Sequence, residues 1–192
     1  QIRSYEGEAA KQCGIDLFTL MQRAGEAVYK QWQSFNAKLT LIIVGNGNNA
    51  GDAYIAACLI KDSGAEVKVC AIDPAKTLSG DAAKAKQLWL DTGGIVNEFA
   101  KSDLDCCDCV IDGLLGTGLN SPVRENYCEI ITAINQSEKP VLSIDVPSGI
   151  DANTGEVLGA AIQATKTLTF IAIKQGLSTG TGKQHAGELI LD

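Results

Sequence analysis

Three things are missing from this 192-residue sequence: a long apolar run, an excess of basic residues and a paired cysteine pattern. A membrane-spanning helix needs about 18 apolar residues in succession, and no segment approaches that length. The N-terminus, QIRSYEGEAAKQCG, lacks the charged-then-apolar order of a secretory signal. We therefore expect a cytoplasmic protein.

The charge balance is acidic. The chain has 23 Asp and Glu residues against 16 Lys and Arg, which gives a net charge of -7. Such a field repels nucleic acid and anionic membrane surfaces, because both carry phosphate groups. We expect neither nucleic acid nor a membrane as a partner.

The cysteines number seven, which is odd, and their spacing is not that of a disulfide framework. Cys106, Cys107 and Cys109 form a cluster that could bind a soft metal. However, the chain has no second Cys-x-x-Cys pair, and its one histidine, His185, lies far away in the sequence. We favour reduced thiols at buried or edge positions. We expect His185 to lie in an exposed glycine-rich segment.

The length and the 45% hydrophobic content suit one compact domain over residues 1–192. We find no internal repeat, low-complexity tract or linker that would divide it. Gln1 is not an initiator methionine, so we expect the numbering to begin inside a longer or trimmed gene product.

Helical and strand patterns alternate along the chain. Alternation at this spacing predicts an α/β fold, in which helices cover both faces of a parallel sheet. The predicted helices span 4–13, 16–35, 52–64, 81–92 and 123–138, and the predicted strands span 39–45, 66–72, 95–99, 109–112, 141–145, 167–173 and 188–192.

Polar side chains follow three of the predicted strands. Asn48 and Asn49 come after the first strand, Asp112 ends another, and Asp145 ends a third, just before Ser148. Ligands of open α/β sheets bind beyond the carboxyl ends of the strands, so we expect these loops to converge. Asn49, Asp112 and Ser148 offer oxygen ligands, which suit an alkali or alkaline-earth cation better than zinc.

Two glycine-rich turns each follow a strand and precede a helix. Gly45, Gly47 and Ala50 match G-x-G-x-x-A, the context of a dinucleotide fingerprint, in which backbone N–H groups approach phosphate. A tight turn without a ligand is the alternative. Asp52, which we place at the start of the helix, puts an anion where pyrophosphate would lie and argues against an ordinary NAD site. The second turn spans 113–122, and a flexible connector is its alternative.

Two aspartates suggest different chemistries. Asp145 begins the segment Asp-Val-Pro-Ser-Gly, in which proline restricts the backbone and holds the acid more rigidly than a mobile loop would. A rigid acid suits general acid/base catalysis, and bracing of the loop is the alternative. Asp73 lies where an ordinary NAD-dependent oxidoreductase carries its ribose-binding acid. That hypothesis predicts hydride transfer from intact NADH.

Four segments together closely resemble the YjeF N-terminal domain, the NAD(P)H-hydrate epimerase family. They are LMQRAGEAV, GNGNNAGDAY, IDGLLGTGLNSP and SIDVPSGIDANTGEVLGAAIQATKTLTFIAIKQGL. The resemblance covers nearly the whole chain and implies a three-layer α/β/α Rossmann-like fold with a mainly parallel central sheet. It also implies a homodimer and an isomerase that interconverts the R and S forms of hydrated NADH and NADPH. A non-catalytic YjeF-like module for dimerisation and for nucleotide or RNA binding is the alternative.

The resemblance also implies roles for individual residues. Asp145 would be the general acid/base and would contact the substrate, and Asn49, Asp112 and Ser148 would bind a potassium ion. The other implied substrate contacts are Asn48, Asn49, Ala50, Gly51, Asp52, Gly116, Thr117, Gly118, Leu119, Asn120, Ser121 and Pro122.

This sequence departs from the family pattern N-N-G-G-D-G at two places, where Ala50 and Ala53 replace glycines. A methyl group at Ala50 would strain the turn if its φ were positive. Members of the family often carry an ADP- or ATP-dependent dehydratase domain after this one, so we expect a fused or separate dehydratase partner.

Overall fold

The computed structural model describes residues 14–192, so the predicted helix over 4–13 lies outside the described residues. Seven parallel strands form one sheet in the order β3-β2-β1-β4-β5-β6-β7. They are β1 (Leu39–Val44), β2 (Glu66–Ala71), β3 (Val96–Glu98), β4 (Cys109–Gly113), β5 (Val141–Ile144), β6 (Lys166–Thr169) and β7 (Glu188–Leu191).

Four helices of twelve or more residues pack around this sheet, and three short ones complete the described part of the chain. The longer ones are α1 (Leu17–Trp32), which continues into a 3-10 turn at Gln33–Phe35, α2 (Asn48–Asp62), α3 (Gly80–Asp91) and α5 (Glu125–Gln136). The short ones, which the sequence patterns did not predict, are α4 (Asp103–Cys106), α6 (Gln175–Ser178) and α7 (Gly182–His185).

Strand β1 shows how the sheet divides the core. Successive side chains of a strand point to opposite faces. Ile42 and Val44 pack with α1, α2 and α3 on one face. Leu41 and Ile43 pack with α5 on the other face. The continuous apolar run of β1 is therefore buried on both sides, and the predicted three-layer α/β/α arrangement is confirmed.

Helix α1 begins as the sequence predicted. Asp16 is its N-cap, and its carboxylate accepts a hydrogen bond from the Thr19 N–H at 2.7 Å. Met21, Val28 and Trp32 are buried along one side of the helix. The apolar spacing therefore correctly predicted a helix with one face in the core.

The start of α2 corrects the sequence prediction. The helix begins at Asn48 rather than at Asp52, because Gly47 is extended (φ −108°, ψ −169°) and serves as the N-cap. Asp52 therefore lies inside the helix, and the argument that placed its charge at the helix start was wrong. Ala50 is helical and fully buried, so its methyl group meets no positive-φ penalty.

Two further predictions need correction. β6 ends at Thr169 instead of continuing to 173, because the chain turns at Ile171, whose φ is +67°. His185 was expected to be exposed, but it is half-buried in α7, and its Nδ1 lies 2.9 Å from the Ile162 carbonyl oxygen.

The six cysteines within residues 14–192 are free thiols. Burial raises the pKa of Cys58 and of Cys109 to about 11 and that of Cys70 to about 12, so these thiols stay protonated at neutral pH. Of the helices in the described residues, none combines the length and the apolarity needed to cross a bilayer.

Candidate active site

A crevice of about 310 Å³ opens at the carboxyl ends of the strands. β1 and β4 are neighbours in the sheet, and the strand order reverses between them, which is where open α/β sheets bind ligands. The volume suits a small-molecule site. The crevice is lined by Asn46, Gly47, Asn48, Asn49, Asp52, Leu114, Leu115, Gly116, Thr117, Gly118, Leu119, Asn120, Ser121, Tyr127, Asp145 and Phe170.

The two glycine-rich turns touch each other at Gly45. A Cβ on this residue would lie 1.8 Å from the Leu114 carbonyl oxygen, so only glycine fits there. The Gly45 N–H donates to the Gly113 carbonyl at 3.1 Å. The turn after β1 and the turn after β4 therefore form one wall.

Leu115 connects all three of the loops that the sequence singled out. Its carbonyl accepts a hydrogen bond from Asn49 Nδ2 at 3.2 Å. Its N–H donates to Ser148 Oγ at 2.9 Å. The structure thus brings together Asn49, Ser148 and the second glycine-rich turn, although they are far apart in the sequence.

Asp112 lies behind this wall and is completely buried. Its carboxylate accepts hydrogen bonds from the Ser143 hydroxyl at 2.9 Å, the Ser148 N–H at 2.9 Å, the Ser148 hydroxyl at 2.5 Å and the Leu114 N–H at 3.3 Å. Among residues 14–192 no lysine, arginine or histidine pairs with it. Burial raises the pKa of Asp112, and the hydrogen bonds oppose that shift.

Asp145 is held by a three-residue turn at the end of β5. Its φ is +65°, and the Val146 N–H donates back to the Ile144 carbonyl at 2.8 Å, which makes a γ-turn. The Asp145 N–H donates to the Leu168 carbonyl of β6 at 2.7 Å. Left-handed backbone at a non-glycine residue costs about 1–3 kcal/mol and persists where the surroundings enforce it.

Lys174 is a buried neighbour of Asp145 that the sequence did not single out. Its ammonium group is buried and pairs with Asp145 Oδ1. It also donates to the Thr169 hydroxyl at 2.9 Å and to the Phe170 carbonyl at 2.9 Å. The available signal was a lysine just after the apolar run TLTFIAI, where the chain returns to the rim of the sheet.

A second γ-turn leads from β6 to Lys174. Ile171 has φ +67°, and the Ala172 N–H donates to the Phe170 carbonyl at 2.7 Å. Positive φ is a genuine outlier for a β-branched residue. β5 and β6 are neighbours, so the two γ-turns stand side by side at one edge of the crevice.

Not all predicted substrate contacts line the crevice. Ala50 faces the core. Gly51 packs against α1, because a Cβ there would lie 2.4 Å from Met21 Sδ. Pro122 is exposed beyond the crevice lining. Asp73, the candidate ribose acid, lies in an exposed turn after β2, where it accepts a hydrogen bond from the Ala75 N–H at 3.2 Å.

Several lining residues escaped the sequence analysis. Asn46 Nδ2 donates to the Tyr127 hydroxyl at 3.3 Å, which ties the first turn to α5. Phe170 adds an aromatic side chain next to Asp145. Asn46 and Phe170 lie inside quoted segments, but no sequence pattern assigned a role to them or to Tyr127, so only the fold could identify these residues.

Comparison with known proteins adds to this geometry. A family model described as "YjeF-related protein N-terminus" matches residues 17–176. The bifunctional NAD(P)H-hydrate repair enzyme Nnr of Escherichia coli (strain K12) is 40% identical over 193 residues, covering 100% of this chain and 38% of that relative. The bifunctional NAD(P)H-hydrate repair enzyme of Leishmania braziliensis is 41% identical over 194 residues, covering 98% of this chain and 35% of that relative.

The chain therefore spans less than two fifths of the length of these curated relatives. The crystal structure of the yeast protein ynu0, YNL200c, is similar in fold, with a TM-score of 0.79 and 21% identity over 95% of this chain and 83% of that chain. This likeness supports the Rossmann-like α/β architecture.

Proposed function

Because this chain belongs to the YjeF-related N-terminal family, we propose that it is an isomerase that interconverts the R and S forms of hydrated NADH and NADPH. Relatives that match the whole chain are named NAD(P)H-hydrate repair enzymes. The observation that carries the proposal is Asp145, a rigid acid that lines a dinucleotide-type crevice between two glycine-rich turns.

The chemistry needs one proton shuttle. The hydrated nicotinamide bears a hydroxyl on the carbon next to the ring nitrogen. Inversion there proceeds either by ring opening to an aldehyde or by loss and re-addition of water, and both routes move a proton. Asp145 is the general acid/base in either route. Because the intrinsic reaction is already feasible, positioning and this one shuttle suffice.

Side-chain amides, backbone groups and one carboxylate hold the substrate in the crevice. Asn48 and Asn49 present side-chain amides at the first turn of α2, and Asp52 follows on the same wall. No lysine or arginine of residues 14–192 lines the crevice. The phosphates therefore bind the backbone N–H groups of residues 116–121 and the amino-terminal end of α2.

Asn49, Asp112 and Ser148 are the proposed potassium site. Asp112, when ionised, is a completely buried negative charge without a cationic partner among residues 14–192. A buried charge of this kind needs compensation. The oxygens of Asp112, Ser148 and the Asn49 amide suit a hard monovalent cation, which would supply positive charge and hold the three loops together. The Ser148 hydroxyl, which donates to Asp112 Oδ1 at 2.5 Å, has a second acceptor in the Leu115 carbonyl at 3.2 Å.

The partners follow from the same proposal. The relatives are bifunctional enzymes of more than twice this length, so a fused or separate dehydratase consumes the product. We also propose a homodimer and a cytoplasmic location.

The experiment compares the protein with its Asp145→Asn variant. Each is incubated with purified R-hydrated NADH, and the S form is followed by chromatography. We expect the parent to restore the epimer equilibrium quickly. The variant should be slower by about 100-fold or more, because loss of general acid/base catalysis costs factors of about 10² to 10⁴.

Three results would contradict the proposal. Unimpaired conversion by Asp145→Asn would remove the catalytic role of that residue. A parent protein that binds the nucleotide without converting it would support the non-catalytic module instead. Consumption of intact NADH, seen as loss of its absorbance, would indicate an oxidoreductase.

A further inference from the structure

We propose that Lys174, together with Thr169, is a positioning residue that fixes one oxygen of Asp145 and leaves the other for proton transfer. The inference rests on the proposed function, in which Asp145 shuttles the proton. It assigns a role to a buried lysine that the chemistry itself does not use.

The ammonium group of Lys174 has no hydrogen left for a substrate. A lysine has three N–H donors. All three are taken, by Asp145 Oδ1, by Thr169 Oγ1 at 2.9 Å and by the Phe170 carbonyl at 2.9 Å. Lys174 therefore acts through Asp145 and makes no hydrogen bond to the nucleotide.

The Asp145 carboxylate is engaged on one side only. Oδ1 accepts from Lys174 and from the Thr169 hydroxyl at 3.3 Å. Oδ2 accepts no hydrogen bond from residues 14–192, and Asp145 lines the crevice. The pair of donors thus sets the rotation of the carboxylate and decides which oxygen meets the substrate.

The backbone supports the same arrangement from both strands. The γ-turn centred on Asp145 directs the acid toward β6, and the γ-turn centred on Ile171 returns Lys174 toward β5. Strained backbone of this kind collects at functional sites. A lysine that only neutralised charge would need neither turn.

The pair also suits the charge of the substrate. A hydrated dinucleotide carries a negative pyrophosphate, and the crevice already contains Asp52. An unpaired Asp145 would repel this ligand. Lys174 balances that charge from behind the carboxylate, where it occupies no space in the crevice.

The test uses Lys174→Met, which keeps the length of the side chain and removes the charge. We expect the turnover number for the R to S conversion to fall about 100-fold, because small displacements of a catalytic group have effects of that size. The KM and the Kd for NADP⁺ should rise by a smaller factor than turnover falls, because the unpaired Asp145 then repels the phosphates while the other contacts of the crevice remain. Lys166→Met is the matched control and should keep full turnover, because Lys166 lies on β6 and pairs with Glu188 at 3.1 Å.

A double variant separates positioning from a merely structural role. If Lys174 acts through Asp145, adding Lys174→Met to Asp145→Asn should cause less than about twofold further loss, because residues that act as a unit are not additive. Thr169→Val, which replaces the hydroxyl group with a methyl group, should lower turnover about tenfold, since the Lys174 pair remains to hold Oδ1. It tests the inference if Lys174→Met fails to fold.

The outcomes are distinct. Full turnover by a folded Lys174→Met or by Thr169→Val overturns this inference and leaves the proposed function intact. Additive losses in the double variant also overturn it. Full turnover by Asp145→Asn, in contrast, removes the proposed catalytic role of Asp145 on which the inference depends, and a parent protein without epimerase activity removes the proposed function itself.

Discussion

At the scale of single residues, two carboxylates of the same site have opposite surroundings. Asp112 accepts four hydrogen bonds and has no cationic partner among residues 14–192. Asp145 accepts two, one of them from Lys174, and keeps Oδ2 without a protein donor from that part of the chain. An acid held by four donors suits the holding of loops, and it has room for a cation when the Ser148 hydroxyl turns to the Leu115 carbonyl. An acid with one open oxygen suits proton transfer.

The surroundings of Asp112 predict a link between potassium and pH. Burial raises its pKa above the ordinary 3.8, so the folded state binds this proton more tightly than the unfolded state does. Protonated Asp112 therefore stabilises the folded state at low pH, and this contribution to the free energy of unfolding decreases as pH rises from about 4 through the folded-state pKa. Potassium should offset this loss, so the rise in Tm in potassium chloride over choline chloride should be larger at neutral pH than near pH 4.

The control for this experiment is Asp112→Asn, measured by thermal unfolding in the same two salts. The variant should lose stability and should no longer respond to potassium at any pH. An equal potassium effect in the variant and the parent would place the ion elsewhere. A Tm that does not depend on potassium in the parent would remove the potassium site.

At the scale of elements, the strained turn after β6 predicts a conflict between stability and activity. Ile171→Gly removes a left-handed β-branched residue that is 44% exposed, so little packing is lost. We expect the free energy of unfolding to rise by about 1 kcal/mol, measured by urea unfolding. Turnover should fall several-fold, because a looser turn no longer holds Lys174 against Asp145.

Ile173→Gly is the matched control for that turn. Ile173 is 47% exposed and is not among the residues with positive φ. Glycine there should lower stability slightly, because it adds backbone freedom without relieving strain. A loss of stability in Ile171→Gly as large as in Ile173→Gly would show that the turn stores no strain.

The sequence predicted the elements better than their ends. The apolar β-branched run of β1 fits a strand buried on both faces, and the apolar spacing of α1 fits a helix with one buried face. The sequence therefore predicted both elements. The start of α2 was missed, because two asparagines and a glycine in its first turn are poor helix formers. β6 was predicted too long, because Phe170, Ile171 and Ile173 favour strands, whereas the turn that overrides them depends on tertiary contacts.

The same limit applies to the site. Asn49, Asp112, Asp145 and Ser148 follow strands, so the rule for parallel sheets was enough to group them. Lys174 could not be assigned, because its partner is 29 residues away and the contact depends on two non-glycine residues with positive φ. Tyr127 belongs to α5 and reaches the crevice only through the packing of that helix.

At the scale of the whole molecule, charge predicts how salt acts on binding. The net charge is -7, and no lysine or arginine of residues 14–192 lines the crevice. The field therefore repels a dianionic substrate at long range. Raising the ionic strength from about 10 mM to about 150 mM shortens the Debye length from about 30 Å to about 8 Å, so KM should fall.

This measurement keeps potassium constant and varies choline chloride, so that a metal effect is separated from screening. Initial rates at several substrate concentrations give KM and turnover. We expect KM to fall with little change in turnover. A several-fold increase in KM would instead indicate that side-chain cations bind the phosphates.

The paired γ-turns also have a consequence for protein engineering. A catalytic acid is commonly transplanted by copying side chains onto a host backbone. Here the acid and its lysine meet because Asp145 and Ile171 both adopt positive φ at adjacent strand ends. In a host with ordinary strand ends, the aspartate and lysine side chains would point away from each other. A successful graft must therefore transfer both turns together with their side chains.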